Sequence, residues 1–393
     1  MAKTKVYVGM SGGVDSSLTA ALLLEQGYDV TGVYMKNWTQ DLPGMKCPWA
    51  DDLADAKRVA VQLGIDFKVF DFEADYKHKV VDYMIEEYKA GRTPNPDIMC
   101  NQEVKFKLFL EAALEDGADM IATGHYARVH HRESLHGTDH EETSSSGRTL
   151  QGDFVSPVAF GSPAATIPSA DISSQSAGEL LQAVDTNKDQ TYFLYRVTGE
   201  ALAKTLFPLG EYTKPQVREM AKERGLYTAG KKDSQGICFV GKVGIREFLS
   251  QYVDQTPGPI IDKSTGKTLG FHDGVIFYTL GQRHGLDVGG GLPYYVVGKD
   301  MDKNEVYVTT DLNDGSLWKD TVSLASVHWI NQAPSVGEYT IRVRHRAKLV
   351  KAQLGFTGGD VTLQLDNAER AVAPGQSVVI YDGDICLGGG IIV

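Results

Sequence analysis

Long hydrophobic runs and cysteine are both scarce in this 393-residue sequence. No apolar run approaches the ~20 residues of a membrane-spanning helix, and the start, MAKTKVYVGM, lacks the apolar stretch of a signal peptide. Cysteine occurs four times, which is too few for a disulfide framework. We therefore expect a cytoplasmic protein in a reducing environment, with no membrane partner, in which any paired cysteines have a chemical role.

An excess of positive charge is also missing. The formal net charge is −12 at pH 7, which argues against a protein that holds nucleic acid by its overall field. If RNA is bound, the positive charge must be concentrated on one local surface. The apolar fraction of 42% and the charged fraction of 23% are those of a globular protein, and the length allows two or three domains.

The first predicted domain, 1–243, is of the α/β class. About the first 125 residues alternate strands and helices, which indicates a parallel sheet covered on both faces. Residues 132–179 are rich in Ser, Gly, Pro and Ala and are interpreted as a mobile surface insertion. Two further helices are predicted after it, near 200–205 and 214–224.

The remainder of the chain has an all-β pattern. From about residue 245, short apolar stretches such as 275–280 alternate with turns that contain Gly, Asp and Asn. This pattern predicts a small linking domain at 244–309 and a C-terminal β-barrel at 310–393.

A glycine-rich turn near the N-terminus is the strongest local signal. Residues 11–17, Ser-Gly-Gly-Val-Asp-Ser-Ser, follow an apolar strand at 6–10 and open a predicted helix at 16–26. The two glycines let backbone N–H groups turn inward, and together with the helix N-terminus they form a cradle for phosphate. The lysine of the ordinary GxxxxGK[ST] loop is missing, which indicates another class of phosphate loop.

This turn resembles the SGGxDS loop of the PP-loop ATP pyrophosphatases, which split ATP into AMP and pyrophosphate to adenylate an oxygen of a substrate. The resemblance implies that ATP is a substrate. Met35 and Gly124 stand at the ends of neighbouring predicted strands, where open α/β sheets bind ligands, so both are expected to line the nucleotide pocket. The alternative for Met35 is simple core packing.

A second segment, 93–101 (Thr-Pro-Asn-Pro-Asp-Ile-Met-Cys-Asn), carries a carboxylate and a thiol. Its two prolines are expected to hold a rigid, extended loop that presents Asp97 and Cys100 three residues apart. A carboxylate beside a thiol can transfer protons during nucleophilic attack. The alternative is a loop turn with a buried cysteine.

A third segment, 231–239, places Cys238 after two lysines and beside a glycine turn. Nearby positive charge lowers the pKa of a thiol and favours the reactive thiolate. Alone, this pattern fits a structural cysteine and a catalytic cysteine equally well. Two loop cysteines in a chain with a pyrophosphatase loop favour a redox or sulfur-carrying pair. The other two cysteines, Cys47 and Cys386, are expected to be structural.

The segment 342–348 (Arg-Val-Arg-His-Arg-Ala-Lys) is the best local candidate for RNA contact. As a strand it would place its cations on one face, towards phosphates. These cations are Arg342, Arg344, Arg346 and Lys348. The alternative is a charged edge strand that prevents sheets from aggregating.

Together these motifs closely resemble the bacterial tRNA-specific 2-thiouridylases, the MnmA family of the PP-loop superfamily. The resemblance covers nearly the full length, through GMSGGVDSS, AGRTPNPDIMCN, ATGHYAR, NKDQTYFLY, KKDSQGICFVG, YTLGQR and PGQSVVIYDGDICLGGGII. Only the insertion at 132–179 departs from it. The resemblance implies an adenine nucleotide alpha hydrolase-like first domain, a linking domain and a β-barrel.

The resemblance also implies roles for individual residues. Cys238 would carry a persulfide, Cys100 would be the nucleophile that forms a transient disulfide with it, and Asp97 is the acid/base candidate. ATP would be bound by Gly9, Met10, Ser11, Gly12, Gly13, Val14, Asp15, Ser16, Met35 and Gly124. Asn95, Pro96 and Asp97 would surround the target uridine, and tRNA would also be contacted by His125, Lys188, Asp189, Gln190, Arg344, His345 and Gln376.

The implied reaction is ATP-dependent 2-thiolation of the wobble uridine (U34) of tRNA. The C2 oxygen would be adenylated, with Mg²⁺ expected at the phosphates. The terminal sulfur from Cys238 would then displace AMP, either directly or after Cys100 reduces the persulfide and releases sulfide. One of the two cysteine loops would have to move for the sulfurs to meet. The implied sulfur donor is a cysteine desulfurase, acting directly or through a relay protein.

Two alternatives remain open. Another PP-loop enzyme, such as an amidating synthetase, would need an ammonia source that nothing here suggests, and it gives the cysteine pair no role. A non-catalytic tRNA-binding protein with a vestigial ATP loop would not need Asp15, Asp97 and both loop cysteines intact.

Overall fold

The N-terminal part of the chain is built on a parallel sheet. The computed structural model describes residues 2–41, 47–131, 177–232, 244–289, 291–357 and 360–393. The strands of this sheet are Lys5–Gly9 (β1), Asp29–Lys36 (β2), Asp66–Asp71 (β3), Met120–Ala122 (β4) and Thr205–Leu206 (β7). They lie in the order β3-β2-β1-β4-β7. Val6, Tyr7 and Val8 of the central strand are fully buried, as expected where helices cover both faces.

Helices connect these strands. Their bounds are Val14–Glu25 (α1), Trp49–Leu63 (α2), Glu73–Tyr76 continuing through Lys77–Asp82 and Tyr83–Lys89 (α3), Pro96–Met99 continuing through Cys100–Leu108 and Phe109–Glu115 (α4), Thr191–Leu194 (α5), Gly199–Ala203 (α6) and Lys214–Glu223 (α7). The middle segments of α3 and α4 are π-helical. This geometry is rare in proteins, and where it occurs it is often at a functional site. Helix α2 ends at Gly64 in the left-handed conformation that favours glycine.

The expected extended loop at 93–101 is wrong in its second half. Asn95 caps a helix that begins at Pro96, and its side chain accepts a hydrogen bond from the backbone N–H of Asp97 (3.1 Å). Proline suits this position because the N–H that it lacks has no partner in a first helical turn, and Asn is a preferred cap. Cys100 therefore lies on α4, 1% exposed, and not on a loop.

The C-terminal part is a closed barrel. Its strands are Trp318–Trp329 (β12), Gly337–Arg342 (β13), Val350–Thr357 (β14), Asp360–Arg370 (β15), Ser377–Asp382 (β16) and Ile385–Ile392 (β17). They pair in the order β12-β15-β14-β13-β16-β17, and β12 pairs again with β17 to close the ring. Alternate residues of β15, Val361, Leu363 and Leu365, fill the interior, as the period of a strand requires.

A hairpin from the first domain extends the barrel sheet. Its strands are Arg128–His131 (β5) and Gly178–Leu181 (β6), and β6 pairs with β17 at Leu180 and Cys386. The insertion expected at 132–179 therefore ends earlier than predicted, because Gly178 and Glu179 belong to a paired strand. The expectation for 132–176 lies outside the described residues.

The central part forms a small separate sheet. Its strands are Gly258–Asp262 (β8), Thr268–His272 (β9), Tyr295–Asp300 (β10) and Glu305–Thr309 (β11), in the order β10-β11-β8-β9. The predicted order of an α/β domain, a small linking domain and a β-barrel is confirmed. None of the helices in the described ranges is long and apolar enough to cross a membrane.

Two further local predictions were wrong, and a third was wrong only in where its helix ends. The all-β region begins with a helix, Ile245–Leu249 (α8), because Phe248 and Leu249 bury against the first domain. Residues 275–280 hold a 3₁₀ turn at Val275–Phe277 where a strand was expected. The helix expected at 200–205 ends at Ala203, and Thr205 opens the edge strand of the parallel sheet.

Candidate active site

The glycine-rich turn forms a closed loop at the carboxyl end of β1. Gly12 adopts φ 72°, and a Cβ there would collide with the backbone carbonyl of Asp52. The Ser16 hydroxyl accepts a hydrogen bond from the Ser11 N–H (3.1 Å) and donates one to the Gly13 carbonyl (3.2 Å). Within the described residues, no side chain caps the N-terminus of α1 at Gly13, so this end of the helix suits an anion.

Met35 and Gly124 pack against this loop, and their contact with the nucleotide stays a prediction. A Cβ on Gly9 would lie 2.8 Å from the Met35 methyl carbon, and a Cβ on Gly124 would lie 2.8 Å from the Ser16 nitrogen. A side chain at Gly124 would meet backbone, whereas one at Gly9 would require the Met35 methyl group to move. The structure thus brings residues 9–16, Met35 and Gly124 together at the ends of three neighbouring strands.

Asp15 is held by two residues that sequence reasoning did not single out. The Lys214 ammonium contacts both of its carboxylate oxygens, at 2.7 and 2.8 Å, and the Tyr126 hydroxyl donates to one of them (2.9 Å). Lys214 is the first residue of α7, which packs along α1. The one sequence signal was indirect, because a phosphate loop without its own lysine needs a cation from elsewhere.

The thiol of Cys100 is enclosed in an apolar cluster. The cluster also contains Trp38, Cys47, Tyr76 and Phe248. The next residue, Asn101, fixes the helix by donating from its amide to the Phe193 carbonyl (3.0 Å). Asp97, one turn earlier on the same helix, is half-buried. Ile98, between them, shares a buried cluster with Met35, so α4 runs beside the nucleotide pocket.

Thr93 joins all three parts of the chain just before this helix. Its N–H donates to the Pro374 carbonyl of the barrel (3.1 Å), and its hydroxyl lies 3.0 Å from the hydroxyl of Thr279 in the central part. A Cβ on Gly375 would lie 2.6 Å from the Thr93 nitrogen. Gln376, the residue after Gly375, therefore lies near the backbone segment that leads from Thr93 to Asn95 and Asp97.

His125 is an interior residue behind the loop. Its Nδ1 lies 2.7 Å from the Thr123 hydroxyl, and its ring packs against Phe106 and Phe207. Burial, and secondly the charge of Lys105, holds the pKa of His125 well below its ordinary value. The imidazole is therefore neutral, and contact with tRNA would require the nucleic acid to reach a side chain that is 8% exposed.

Asp189 is buried between the first domain and the barrel. Its carboxylate accepts hydrogen bonds from the Ala183 N–H (3.0 Å) and the Thr191 hydroxyl (2.8 Å), and it pairs with Arg342 (3.0 Å). The side chains of the pair are 1% and 9% exposed. The predicted tRNA-contact residues Asp189 and Arg342 thus contact each other.

The expected strand at 342–348 is wrong. Strand β13 ends at Arg342, and the chain then turns, with Arg346 at φ 61°. The period-two face is lost, because the buried pair with Asp189 fixes Arg342 inward. The turn instead exposes Arg344, Arg346 and Lys348. A groove of about 340 Å³ beside it is lined by Thr186, Asn187, Lys188, Arg342, Arg346 and Ala347.

Two more predicted contact residues border this turn. His345 packs its ring on Phe193, with centroids 4.4 Å apart. Burial, then the charges of Arg346, Arg342 and Lys188, lowers the pKa of His345 to about 4. The side chain of Gln190 points away from this turn, and its oxygen accepts a hydrogen bond from the Tyr126 N–H (2.9 Å). Gln190 therefore links the predicted tRNA-contact segment to Tyr126, which holds Asp15.

Comparison with known proteins identifies the family. Residues 4–242 match the family described as "tRNA methyl transferase HUP domain". Residues 246–310 match the family described as "tRNA methyl transferase PRC-barrel domain", and residues 319–392 match the family described as "Aminomethyltransferase beta-barrel domain". The tRNA-specific 2-thiouridylase MnmA of Idiomarina loihiensis is 43% identical over 400 residues, which covers 100% of this chain and 96% of that protein. The chain belongs to the MnmA family.

Other relatives agree with this membership. The MnmA protein of Bacillus subtilis is 44% identical over 394 residues, covering 99% of this chain and 95% of that protein. Among solved structures, the NMN synthetase of Francisella tularensis aligns with a TM-score of 0.31 and 14% identity, over 59% of this chain and 67% of that one. A likeness of that size supports no conclusion.

For a member of the MnmA family, the surroundings of Cys238 are of special interest, but that residue lies outside the described residues. The chain just before it is described. Lys231, expected to activate the thiol, contacts Asp52 and Asp55 on α2, both at 2.8 Å. Its charge is therefore already paired with two carboxylates, and Lys231 anchors the segment to the helix beside Gly12.

A divalent cation would find one carboxylate at the loop of this MnmA-family protein. Among the described residues, no group of three or more His, Cys, Asp or Glu side chains could hold a metal by itself. Mg²⁺ is usually held by one or two carboxylates together with substrate phosphates and water. Asp15 lies beside the phosphate loop and would hold such an ion in place of one of its two contacts with Lys214.

Proposed function

We propose that this protein is the sulfurtransferase that converts the wobble uridine (U34) of tRNA to 2-thiouridine with ATP. The observation that carries the proposal is the placement of an intact pyrophosphatase loop beside the helix that bears Asp97 and Cys100. Full-length identity with proteins named tRNA-specific 2-thiouridylases supports the substrate. We also infer a cytoplasmic location, because both ATP and tRNA are present there.

The first step is adenylation. The uridine C2 oxygen attacks the α-phosphorus of ATP, the bond from that phosphorus to the bridging oxygen breaks, and pyrophosphate leaves with the electron pair. Asp97 accepts the N3 proton of the base. The uncapped N-terminus of α1 at Gly13 would bind the phosphates, and Asp15 would hold Mg²⁺, which would neutralise phosphate charge.

The second step is sulfur transfer. A donor, a cysteine desulfurase acting directly or through a relay protein, loads Cys238 as a persulfide. The Cys100 thiolate attacks the Cys238 sulfur, so that a disulfide forms and the terminal sulfur is released as sulfide. Sulfide attacks C2 and AMP leaves. An external thiol reduces the disulfide. Because Cys100 is 1% exposed, either α4 or the apolar side chains that enclose the thiol must move before the two sulfurs can meet.

Nucleoside mass spectrometry tests the proposal. Unmodified tRNA is incubated with the protein, ATP, Mg²⁺, a cysteine desulfurase and cysteine. We expect 2-thiouridine from the wild type and none from Cys100→Ser or Cys238→Ser. Cys47→Ser is the matched control, because Cys47 lies in the same apolar cluster as Cys100 and is given no chemical role.

The contrary results are equally clear. Thiolation by Cys100→Ser would remove the disulfide step and leave the enzyme class intact. Pyrophosphate release with another acceptor and no thiouridine would favour an amidating or other PP-loop enzyme. Because the matching family descriptions name a methyl transferase, a parallel incubation with a methyl donor added would show a methylated nucleoside if that were the reaction.

A further inference from the structure

Lys214 brings a positive charge to a phosphate loop that has no lysine of its own. Its ammonium lies 2.7 and 2.8 Å from the two oxygens of Asp15 and 5.7 Å from the centroid of the Tyr126 ring. The Lys214 side chain is only 10% exposed. In Walker loops, the lysine inside the motif reaches the β- and γ-phosphates. Here a lysine nearly two hundred residues later in the chain occupies the same end of the sheet.

The position of Lys214 is fixed by the helix that carries it. Thr213 and Gln216 form a capping box at the start of α7, and the Lys214 N–H donates to the Asp185 carboxylate (2.8 Å). The other oxygen of Asp185 accepts from the N–H groups of Asn187 and Lys188. The ammonium is thus held at the loop by a rigid helix start that also contacts the predicted tRNA segment.

A purely structural role for Lys214 would be to tie α7 to α1. The same two helices are already tied at their other ends, where Arg224 makes two hydrogen bonds of 2.8 Å to Glu25. That pair lies on the surface, with side chains 25% and 51% exposed. The two ties join the same helices, and only one of them touches the phosphate loop, so they form a matched pair for comparison.

We propose that Lys214 is a further catalytic residue, which contacts the departing pyrophosphate during adenylation. The inference rests on the proposed function. As the bond from the α-phosphorus to the bridging oxygen breaks, negative charge grows on pyrophosphate, and a fixed ammonium there stabilises the transition state. The ammonium has three N–H donors, which suffices to hold Asp15 and a phosphate oxygen together. The contact transfers no proton or other group, so no further reactant is needed.

The test measures pyrophosphate release with unmodified tRNA as acceptor. Lys214→Met should lower kcat by about 100-fold or more, the usual effect of removing a transition-state donor. Lys214→Arg, which keeps the charge, should recover part of the loss. Arg224→Met should stay within about threefold of the wild type, because an exposed ion pair contributes little.

A second variant separates catalysis from positioning. Lys214→Gln removes the charge and keeps an N–H donor for Asp15, so it also covers the case in which Lys214→Met does not fold. We expect the same loss of kcat, with a melting temperature close to that of the wild type. Normal kcat in Lys214→Gln, or equal losses in the Lys214 and Arg224 variants, would overturn the proposal.

The two proposals fail in different ways. Absence of thiouridine from the wild type would count against the proposed function. If pyrophosphate is then released with another acceptor, kcat for that release is compared between the Lys214 and Arg224 variants. The ratio of these kcat values still decides the role of Lys214.

Discussion

The glycine-rich phosphate loop and the predicted tRNA face (residues 188–190 and 342–348) of this protein are built on different principles. At the loop, residues 9–16 are consecutive, and their geometry is set by backbone turns and by close contacts at Gly12 and Gly124. At the tRNA face, the segments around Asp189 and Arg342 come from two domains and meet through a buried ion pair. A local motif reveals the first kind of site, whereas the second kind depends on what folding buries.

Gly12→Ala is the substitution that tests the loop most severely. The left-handed φ of 72° is unfavourable for alanine, and the new methyl group would meet the Asp52 carbonyl, which is backbone and cannot turn away. We expect a loss of about 2–4 kcal/mol in unfolding free energy and at least about 100-fold in adenylation, because the loop must shift. Denaturant unfolding and pyrophosphate release measure the two effects.

Gly64→Ala is the matched control for the loop variant. Gly64 ends α2 at nearly the same φ, 68°, but nothing lies within 4 Å of the position of a Cβ. We expect a loss of about 1 kcal/mol from the backbone conformation alone and an unchanged adenylation rate. Equal effects at both glycines would mean that the contact with Asp52 does not matter.

Breaking the buried pair should cost at least as much unfolding free energy as Gly12→Ala does. Arg342→Met leaves the Asp189 carboxylate without its partner, and removal of one member of a buried ion pair costs about 3–5 kcal/mol. The affinity for tRNA should fall as well, because Lys188 and Arg344 lie next to the two partners. Asp189→Asn should give the same pattern, and the double variant should cost less than the sum of the two.

An exposed pair between the same two parts of the chain provides the control. Arg128 of β5 contacts Asp384 in the turn before β17 at 3.0 Å, with side chains 26% and 66% exposed. Asp384→Asn should cost less than about 1 kcal/mol and leave tRNA affinity unchanged. If it matched Arg342→Met, burial would not explain the importance of the inner pair.

This comparison also explains how far the sequence could be interpreted. The α/β order, the glycine-rich turn and the barrel were predicted, because glycine spacing and hydrophobic periodicity report local geometry directly. Met35 and Gly124 lie beside that turn, and their contact with ATP stays a prediction. The helix at Pro96 was missed, although its signal was present. Asn followed by Pro is a typical helix start, and we interpreted the prolines as marks of a loop.

Other features could not be predicted from local sequence. Arg342 begins a run that alternates cations, and only the tertiary contact with Asp189 turns it inward and ends the strand. Lys214 and Lys231 look alike in sequence, yet one contacts the loop carboxylate and the other contacts α2. Such assignments depend on which distant segment packs against each lysine, and no pattern along the chain contains that information.

The exposed turn after β13 allows a smaller test of the tRNA face. Arg346→Gln should weaken tRNA binding, because Arg346 lines the groove beside Lys188. If it contacts one phosphate, the slope of log Kd against log salt should fall by about 0.7–0.9. Lys303→Gln, at an exposed lysine of the central part, should leave the slope unchanged. An unchanged slope in Arg346→Gln would remove the residue from the interface.

His345 should give the smallest effect, and its sign follows from the lowered pKa of about 4. As pH falls from about 6.5 to 4, the unfolded chain takes up a proton at this ring before the folded protein does, so stability is lost across that window. His345→Gln removes this contribution. Because the ring is only half-buried, solvent screening limits the difference to about 1 kcal/mol.

Unfolding curves at pH 7.5 and pH 5 measure this difference. Acidification also destabilises the folded protein through buried His125. The contribution of His345 is therefore the pH-dependent change in unfolding free energy of the wild type minus that of the His345→Gln variant. His78→Gln, at a side chain that is 85% exposed, is the control for loss of an imidazole in general. Above pH 6.5 the His345 ring is neutral, and any effect of His345→Gln on tRNA binding there must come from its packing on Phe193 and not from charge.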